Sequence, residues 1–560
     1  MKRILGILAA GFAVLVIAAS PARAVLPQAD LVQDLNPGPS GSHPGELIPF
    51  GDKLWIAARS DTSGYEPWLL STGGLDLIAD IRPGLDPSDP SEPVVLGDRL
   101  YFVATDADHG REVWRSDGVS AELVTDINPG PSGSAPEGLT VAGGRVFFSA
   151  YEPVNGRELW QAGPAGATLV ADIYPLSSSN PDDLAALGDR VYFAAESPGI
   201  GEELWTSDGT TTTLVTDLNP GFADSSPFQL TVAGGTLFLG ANSATIGSEL
   251  FKVAGGIVTP VADIEPGAGS SSPGSLAAVG DRIAFRASTM VSGSEPWISD
   301  GTTASMISDL EPGAESSFPT GFVGMGGDVY FSAFTRTDGY ELYRSDGLAT
   351  GLAAGKIPGA SQTSPTEVIE IDGGIYFTPS TPRTGREPWL FDETGLHMIR
   401  DVLPGPEGSD SNGFVKLGES IFFGADDGTH GPETWHLHPD REINLKLLGS
   451  KAGVSRKGFA ALRLTCPGDE ANGPCASKIT VSTRRKVRFG KKRRKVVLSK
   501  KTINVLPGRT GTARITFSKK KIRLLRTKAA ARKVLITVKA SDGAGNEKVI
   551  RRRFAFRRPA

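Results

Sequence analysis

The alternation of apolar and polar residues predicts short β-strands from about residue 29 onward. In one representative stretch, apolar residues 93–96 precede a Gly-Asp pair and the apolar run 100–103, which is typical of a hairpin with a two-residue turn. Two further strand-like runs, 112–115 and 122–127, are separated by a Ser-Asp-Gly turn. The repeats carry no sustained helical period. The pattern therefore predicts an all-β chain built from four-stranded antiparallel units.

Two sequence markers recur with a period of 46 residues, shortened once to 45. The first marker is a glutamate followed two positions later by an aromatic residue, at Glu66/Trp68, Glu112/Trp114, Glu158/Trp160, Glu203/Trp205, Glu249/Phe251, Glu295/Trp297, Glu341/Tyr343, Glu387/Trp389 and Glu433/Trp435. The second marker is Asp-x-x-Pro, starting at Asp34, Asp80, Asp126, Asp172, Asp217, Asp263, Asp309 and Asp401, with Gly355 at the corresponding position of a degenerate copy. Two markers in phase indicate one repeated structural unit.

Four strands of about six residues, with their connections, account for each repeat and match a β-propeller blade. We therefore expect residues 25–448 to form a propeller of about nine four-stranded blades. Nine slightly exceeds the usual four to eight blades. The strand starting at Ala29 matches the last strand of each later repeat, so it could complete the final blade and close the ring. Residues 441–448 compete for that place, and an open or differently closed array is a further alternative.

The repeat resembles a known family. Leu204-Trp205-Thr206-Ser207-Asp208-Gly209-Thr210 follows Glu203 and precedes the Asp-Leu-Asn-Pro-Gly segment that starts at Asp217. This series is similar to the ELWxxDGT repeat of bacterial exported proteins, and the resemblance covers about three quarters of the chain. The family is regarded as propeller-like, and membership implies no fixed activity.

The repeated acids have a structural and a catalytic interpretation. We favour the structural one, because catalysis needs a unique constellation and these residues recur in equivalent positions. Each Asp-x-x-Pro aspartate is expected to accept hydrogen bonds from its own turn. Each repeated glutamate is expected to anchor a neighbouring loop while its aromatic partner fills the core between blades. Seven of eight tryptophans occupy that aromatic position, and only Trp55 lies elsewhere.

No catalytic or metal-binding motif stands out. Asp106-Ala107-Asp108-His109-Gly110 and Asp426-Asp427-Gly428-Thr429-His430 carry oxygen ligands near a glycine, but neither has a complete calcium-loop pattern. We expect solvated hairpin loops and no cofactor, with calcium as the alternative. The histidines are His43, His109, His397, His430, His436 and His438. His436 and His438 alternate along one strand, where a surface pair is favoured over a metal site.

The first 24 residues predict a secretory signal. Lys2 and Arg3 precede an apolar run from residue 4 to 20, and Ala22-Arg23-Ala24 supplies a small-x-small cleavage pattern. We expect cleavage, no membrane-spanning segment in the mature chain, and a secreted or cell-surface location. In that compartment the only cysteines, Cys466 and Cys475, are expected to form one local disulfide.

The composition changes abruptly at residue 449. Residues 449–560 hold 33 Lys+Arg and four acidic residues, a net charge of +29, whereas residues 1–448 carry −35. Six or seven short strand-like runs predict a small β-sandwich, with a helical turn within 519–533. The segment Thr537-Val538-Lys539-Ala540-Ser541-Asp542-Gly543-Ala544-Gly545-Asn546 resembles the final hairpin of bacterial Ig-like domains.

These features predict a non-enzymatic exported binding or scaffold protein. The propeller would bind ligands or partners, and the basic domain 449–560 would retain the protein on cell-wall or other anionic polymers. No dedicated nucleic-acid binding is expected, because few aromatic residues accompany the charges. A carbohydrate-active enzyme with its site in the propeller channel and a purely structural surface protein are the alternatives.

Overall fold

A computed structural model describes residues 28–438, except 72–73, 354 and 357–362, and residues 446–557, except 449–450, 456–458, 466–474, 490–491, 506–508 and 542–546. The predicted signal segment 1–24 therefore lies outside the described residues. The chain divides into two compact units, with the repeats in one and the C-terminal residues in the other.

The described repeats form nine four-stranded antiparallel sheets, numbered here in chain order. Sheets 1 to 3 comprise Leu47–Phe50, Lys53–Arg59, Tyr65–Ser71, Gly74–Leu77; Ser91–Leu96, Arg99–Asp106, Gly110–Ser116, Ala121–Leu123; and Glu137–Ala142, Arg145–Glu152, Gly156–Gly163, Gly166–Ala171. Sheets 4 to 6 comprise Asp182–Leu187, Arg190–Ser197, Gly201–Ser207, Thr212–Thr216; Phe228–Ala233, Thr236–Ser243, Gly247–Ala254, Ile257–Ala262; and Gly274–Val279, Arg282–Thr289, Gly293–Ser299, Ala304–Met306.

Sheets 7 to 9 comprise Thr320–Met325, Asp328–Thr335, Gly339–Ser345, Thr350–Leu352; Thr366–Ile371, Gly374–Thr378, Trp389–Asp392, Gly395–Met398; and Asn412–Leu417, Ser420–Asp426, Pro432–His438, Gln28–Leu31. The second and third strands of sheet 8 are connected through the short ladder of Ser380–Thr381 and Gly385–Arg386. The predicted hairpin turns are confirmed; Gly97, for example, adopts a φ of 63°, which glycine tolerates without steric cost.

Successive sheets pack face to face in a closed cycle, and this makes the unit β-propeller-like. The first strand of each sheet from 2 to 8 contacts the first strand of the following sheet. The first strand of sheet 9 contacts the first strand of sheet 1. One hydrophobic cluster fills each contact between neighbouring sheets. Phe147 of sheet 3, for instance, packs with Val191 and Phe193 of sheet 4. The last contact joins Trp68 and Leu47 of sheet 1 to sheet 9.

The N-terminal strand completes sheet 9, which is one of the alternatives that the sequence left open. Gln28–Leu31 lies antiparallel to Pro432–His438, with Ala29 opposite Leu437. The described part of the competing segment, Lys446–Leu448, pairs instead with Phe459–Thr465 in the C-terminal unit. Residues 446–448, expected in the repeat domain, therefore belong to the second unit.

The C-terminal unit consists of two sheets that share one hydrophobic core. Its five-stranded sheet has the order Lys451–Ala452, Glu547–Phe556, Lys533–Ser541, Cys475–Thr483, Val497–Val505, and only the first pairing is parallel. Its three-stranded sheet has the order Lys446–Leu448, Phe459–Thr465, Thr510–Thr516. A small hairpin, Val487–Phe489 with Lys492–Arg494, and the helices α1 (Lys519–Thr527) and α2 (Ala529–Arg532) complete it. The predicted strands and helical turn are confirmed.

Among the described residues, no helix has both the length and the apolar character needed to cross a membrane.

Candidate functional site

The repeated glutamates are buried anchors for loops. All nine are at most 3 % exposed. In each repeat the carboxylate accepts a hydrogen bond of 2.5–2.8 Å from a buried hydroxyl 21 or 22 residues later, except that Glu433 reaches back to Ser42. The hydroxyl belongs to Ser42, Ser88, Ser134, Ser179, Ser225, Ser271, Ser317, Thr363 or Ser409. It lies in the loop that leads into the next sheet, so each carboxylate ties neighbouring sheets together.

Backbone amides complete this network. In sheet 5, Oε1 of Glu249 accepts a hydrogen bond from the backbone N–H of Ser271 at 2.9 Å. Its Oε2 accepts one from the N–H of Ile264 at 3.1 Å and one from the Ser271 hydroxyl at 2.6 Å. Both oxygens are thereby committed to loop donors. The predicted anchoring role of the repeated glutamate is confirmed.

The same contact closes the cycle of sheets at its last position. Oε2 of Glu433 accepts a hydrogen bond of 2.6 Å from the Ser42 hydroxyl, and Oε1 accepts from the N–H groups of Ser42 and Asn36 at 3.0 and 3.2 Å. Residues near the two ends of the repeat unit are therefore joined by strand pairing and by a buried carboxylate.

Burial raises the pKa of these carboxyl groups. Removal from water disfavours the anion and outweighs the stabilising hydrogen bonds, which raises the pKa of Glu66 to about 7 and that of Glu387 to about 7. Desolvation likewise raises the pKa of the glutamates in the other seven repeats. A raised carboxyl pKa often marks a catalytic acid, but here it accompanies a contact repeated around the whole unit.

The hydroxyl partner is followed by a strained residue. The next residue is left-handed in all nine repeats, with φ between 42° and 48° at His43, Asp89, Ala135, Asn180, Ser226, Ser272, Phe318, Ser364 and Asp410. This conformation costs a residue with a side chain about 1–2 kcal/mol. The neighbouring carboxylate bonds offset that cost. Sequence reasoning missed this serine, although its recurrence in phase with the glutamate was a readable signal.

The Asp-x-x-Pro aspartates follow the prediction only in part. Oδ2 of Asp80 and of Asp263 accept hydrogen bonds from the amide four residues later, at 3.2 and 3.1 Å. In contrast, Oδ1 of Asp34, Asp126 and Asp217 is buried and has no hydrogen-bond partner. The turn therefore does not provide a hydrogen bond to every oxygen of these repeated aspartates.

The two acidic loops use their carboxylates internally. Oδ1 of Asp106 accepts from the N–H groups of Asp108 and His109, and Oδ2 lies 2.7 Å from Nδ1 of His109. Asp427 makes the same contacts with its own loop and with His430. These hydrogen bonds raise the pKa of both histidines. The contacts support the hairpin-loop interpretation. No group of three or more His, Cys, Asp or Glu side chains suited to a metal occurs among the described residues.

The remaining predicted positions do not converge on one site. The ring of His436 packs against Phe422, with centroids 5.8 Å apart, and His397 contacts Thr394. His43 is one of the left-handed loop residues. The side chain of His438, Cys466 and the side chain of Cys475 lie outside the described residues, so the predicted disulfide stays a prediction.

The repeated aromatic residues fill the contacts between sheets, as predicted. Trp160 of sheet 3, for example, packs against Tyr101 and Val113 of sheet 2. Trp55 is also fully buried, on the second strand of sheet 1, against Phe102 at a centroid distance of 6.0 Å.

The first strands carry polar residues that bond to the next sheet. Oε2 of Glu92 accepts a hydrogen bond from the N–H of Leu139, and Oδ2 of Asp183 accepts one from the N–H of Leu230. Glu46 occupies the position equivalent to Glu92, and burial together with the charge of Glu92 raises its pKa. Glu92 and Asp183 therefore form hydrogen bonds that connect the first strands of neighbouring sheets.

The five-stranded sheet of the C-terminal unit presents exposed cations. Along Lys533–Ser541, residues 534, 536 and 538 are buried in the core, whereas Lys533 and Lys539 are exposed on the opposite face. Arg551 and Arg553 are exposed on the neighbouring strand. This face therefore combines a rigid sheet with several exposed cations.

Comparison with known proteins gives weak similarities. No family model and no curated protein matches the chain. One solved structure with some similarity comes from an analysis of two prolyl endopeptidases, with a TM-score of 0.35 and 12 % identity; the match covers 70 % of this chain and 55 % of that one. Another is the Trypanosoma rangeli sialidase in complex with the inhibitor DANA, with a TM-score of 0.24, 11 % identity and coverage of 88 % and 87 %. These TM-scores are too low to carry an inference about activity.

Proposed function

We propose that this chain is an exported, non-enzymatic binding or scaffold protein. In this proposal the repeats form a propeller of about nine blades, of the ELWxxDGT type, that binds ligands or partners. The basic C-terminal unit is an Ig-like β-sandwich that retains the protein on an anionic surface.

One contrast carries the proposal: the repeated glutamates are buried and committed to internal bonds, whereas cations such as Lys478 and Lys539 of the C-terminal unit are exposed. Glu249 is fully buried and bonded to loop donors, and Asp106 is bonded within its own loop. Lys478 and Lys539 are exposed and make no ion pair with any residue that the structure describes. A net charge of +29 on a small unit attracts polyanions over several ångströms and in a salt-dependent way.

Co-sedimentation with purified bacterial cell walls tests the retention. We expect the full chain to sediment at low salt and to be released as salt rises. A chain ending at residue 439, with its folding checked by circular dichroism, should stay in the supernatant. Equal, salt-independent sedimentation of both proteins would refute the proposal.

A further inference from the structure

The five-stranded sheet of the C-terminal unit has one face in the core and one face in solvent. Ile479, Val481 and Ile536 point into the core and are at most 1 % exposed. The alternate residues of the same strands, including Lys478 and Lys539, are exposed on the other face. We call this solvent side the cationic face; among the side chains that the structure describes, its charged residues are Lys478, Lys500, Lys533, Lys539, Arg551 and Arg553.

The strand register brings like charges together on this face. Lys478 is directly opposite Lys539, and one row along the strands Lys500, Thr480, Thr537 and Arg551 lie side by side. Neighbouring strands are about 5 Å apart and successive outward residues about 7 Å apart. Like charges opposite each other destabilise a sheet. None of the six cations forms an ion pair within the described residues.

We infer that the cationic face is a binding surface for a linear acidic polysaccharide. This inference rests on the proposed retention at an anionic surface and names the face and the polymer class. Carboxylate groups along the polymer would neutralise the repulsion that the sheet alone leaves uncompensated. The sheet would contribute an already rigid array of cations, so little order is lost on binding.

The residues between the cations favour a polysaccharide over other polyanions. Thr480, Thr537 and Thr502 stand between the charges and offer hydroxyl groups to sugar hydroxyls and carboxylates. Single-stranded nucleic acids are held largely by stacking on aromatic rings. No aromatic side chain lies on the described part of this face.

Binding of the full chain to polygalacturonate across a salt series tests the inference. The first variant combines Lys478→Gln, Lys539→Gln and Arg551→Gln on the cationic face. The matched control combines Lys519→Gln, Lys520→Gln and Arg523→Gln on α1, where all three side chains are exposed. Both variants lose the same charge. Single-stranded DNA and anionic lipid vesicles serve as alternative ligands, and dextran as the neutral polymer.

We expect the face variant to bind polygalacturonate about tenfold more weakly at low salt, with a salt dependence shallower by about two ions, and the control to change little. The thermal midpoint of the face variant should not fall, because the substitutions relieve the repulsion between neighbouring cations. If both variants bind polygalacturonate equally weakly, the cationic face is not the binding surface. If DNA or vesicles bind more tightly than polygalacturonate, the ligand is not an acidic polysaccharide. Failure of the unmodified chain to bind polygalacturonate, DNA or vesicles would refute the proposed retention as well.

Discussion

Ionisation of the buried glutamates should destabilise the repeat unit as the pH rises. Burial raises the pKa of Glu66 and of Glu387 from 4.5 to about 7. Between these values the folded state binds more protons than the unfolded state, so the free energy of unfolding falls with increasing pH. The stabilisation is complete below about pH 4.5 and is lost as the pH passes 7.

The magnitude follows from the pKa difference. A change from 4.5 to about 7 corresponds to about 3 kcal/mol for Glu66, at 1.36 kcal/mol for each pH unit. The structure accommodates the protonated acid, because the Ser88 hydroxyl can accept its proton at 2.6 Å and turn its own hydrogen to the carbonyl oxygen of Tyr65 at 3.4 Å. The network therefore persists in both charge states. The loss is large compared with the total stability of about 5–15 kcal/mol typical of proteins.

Urea unfolding followed by tryptophan fluorescence from pH 4 to 8, at constant ionic strength, measures this effect. Glu66→Gln should make the fall in unfolding free energy shallower by up to 1.36 kcal/mol for each pH unit. Glu137→Gln, at an exposed glutamate, is the matched control and should leave the slope unchanged. The slope is best read between pH 4.5 and 6, because the raised pKa of His109 and of His430 adds a fall in the same direction above 6.5. Stability that rises over this range, or an unchanged slope in Glu66→Gln, would refute the reasoning.

Three further outcomes are expected from single substitutions. Glu341→Gln should lower the free energy of unfolding in urea by about 1–3 kcal/mol less than Glu249→Gln does, because Oε1 of Glu341 already lacks a hydrogen-bond partner. Equal losses of free energy in the two variants would contradict this. Trp68→Phe should lower the free energy of unfolding, measured by thermal unfolding, by about 1 kcal/mol more than Trp114→Phe, because the indole of Trp68 donates a hydrogen bond and that of Trp114 does not. A larger loss for Trp114→Phe would be inconsistent with the structure. Ser42→Ala should speed amide hydrogen exchange in the strand at residues 28–31, and unchanged exchange there would show that this hydroxyl does not hold the closure.

Local patterns predicted the strands and turns of the repeats well. The Gly-Asp turn at Gly97 and the inward position of Trp160 follow from short-range alternation and repetition. The role of the glutamate as a loop anchor followed from its recurrence in equivalent positions. Its hydroxyl partner was overlooked because each glutamate and serine stand 21 or 22 residues apart, beyond the reach of hairpin and turn rules. Alignment of the repeats makes Ser88 and its equivalents visible as a third marker.

The pairing of strands that are distant in the sequence was harder to predict. The short strand Lys446–Leu448 carries too few residues to indicate its partner, and the structure pairs it with Phe459–Thr465. Similarly, Lys478 and Lys539 each alternate with buried residues of their own strand, but only the register reveals that they lie opposite each other. The charge of a face depends on which strands are neighbours, and sequence periodicity does not contain that information.

The closing strand has a consequence for how this chain is made. Gln28–Leu31 belongs to the same sheet as Asn412–Leu417, so sheet 9 cannot form until almost the whole repeat region has been synthesised. Until Pro432–His438 has been synthesised, the N-terminal strand lacks its partner, and a chain truncated before that strand leaves Gln28–Leu31 unpaired. Because the two ends of the repeat unit meet in one sheet, the chain is also a candidate for circular permutation. Joining residue 438 to residue 28 and opening a connection between two other sheets should preserve every pairing, while the last step of assembly moves to a different sheet.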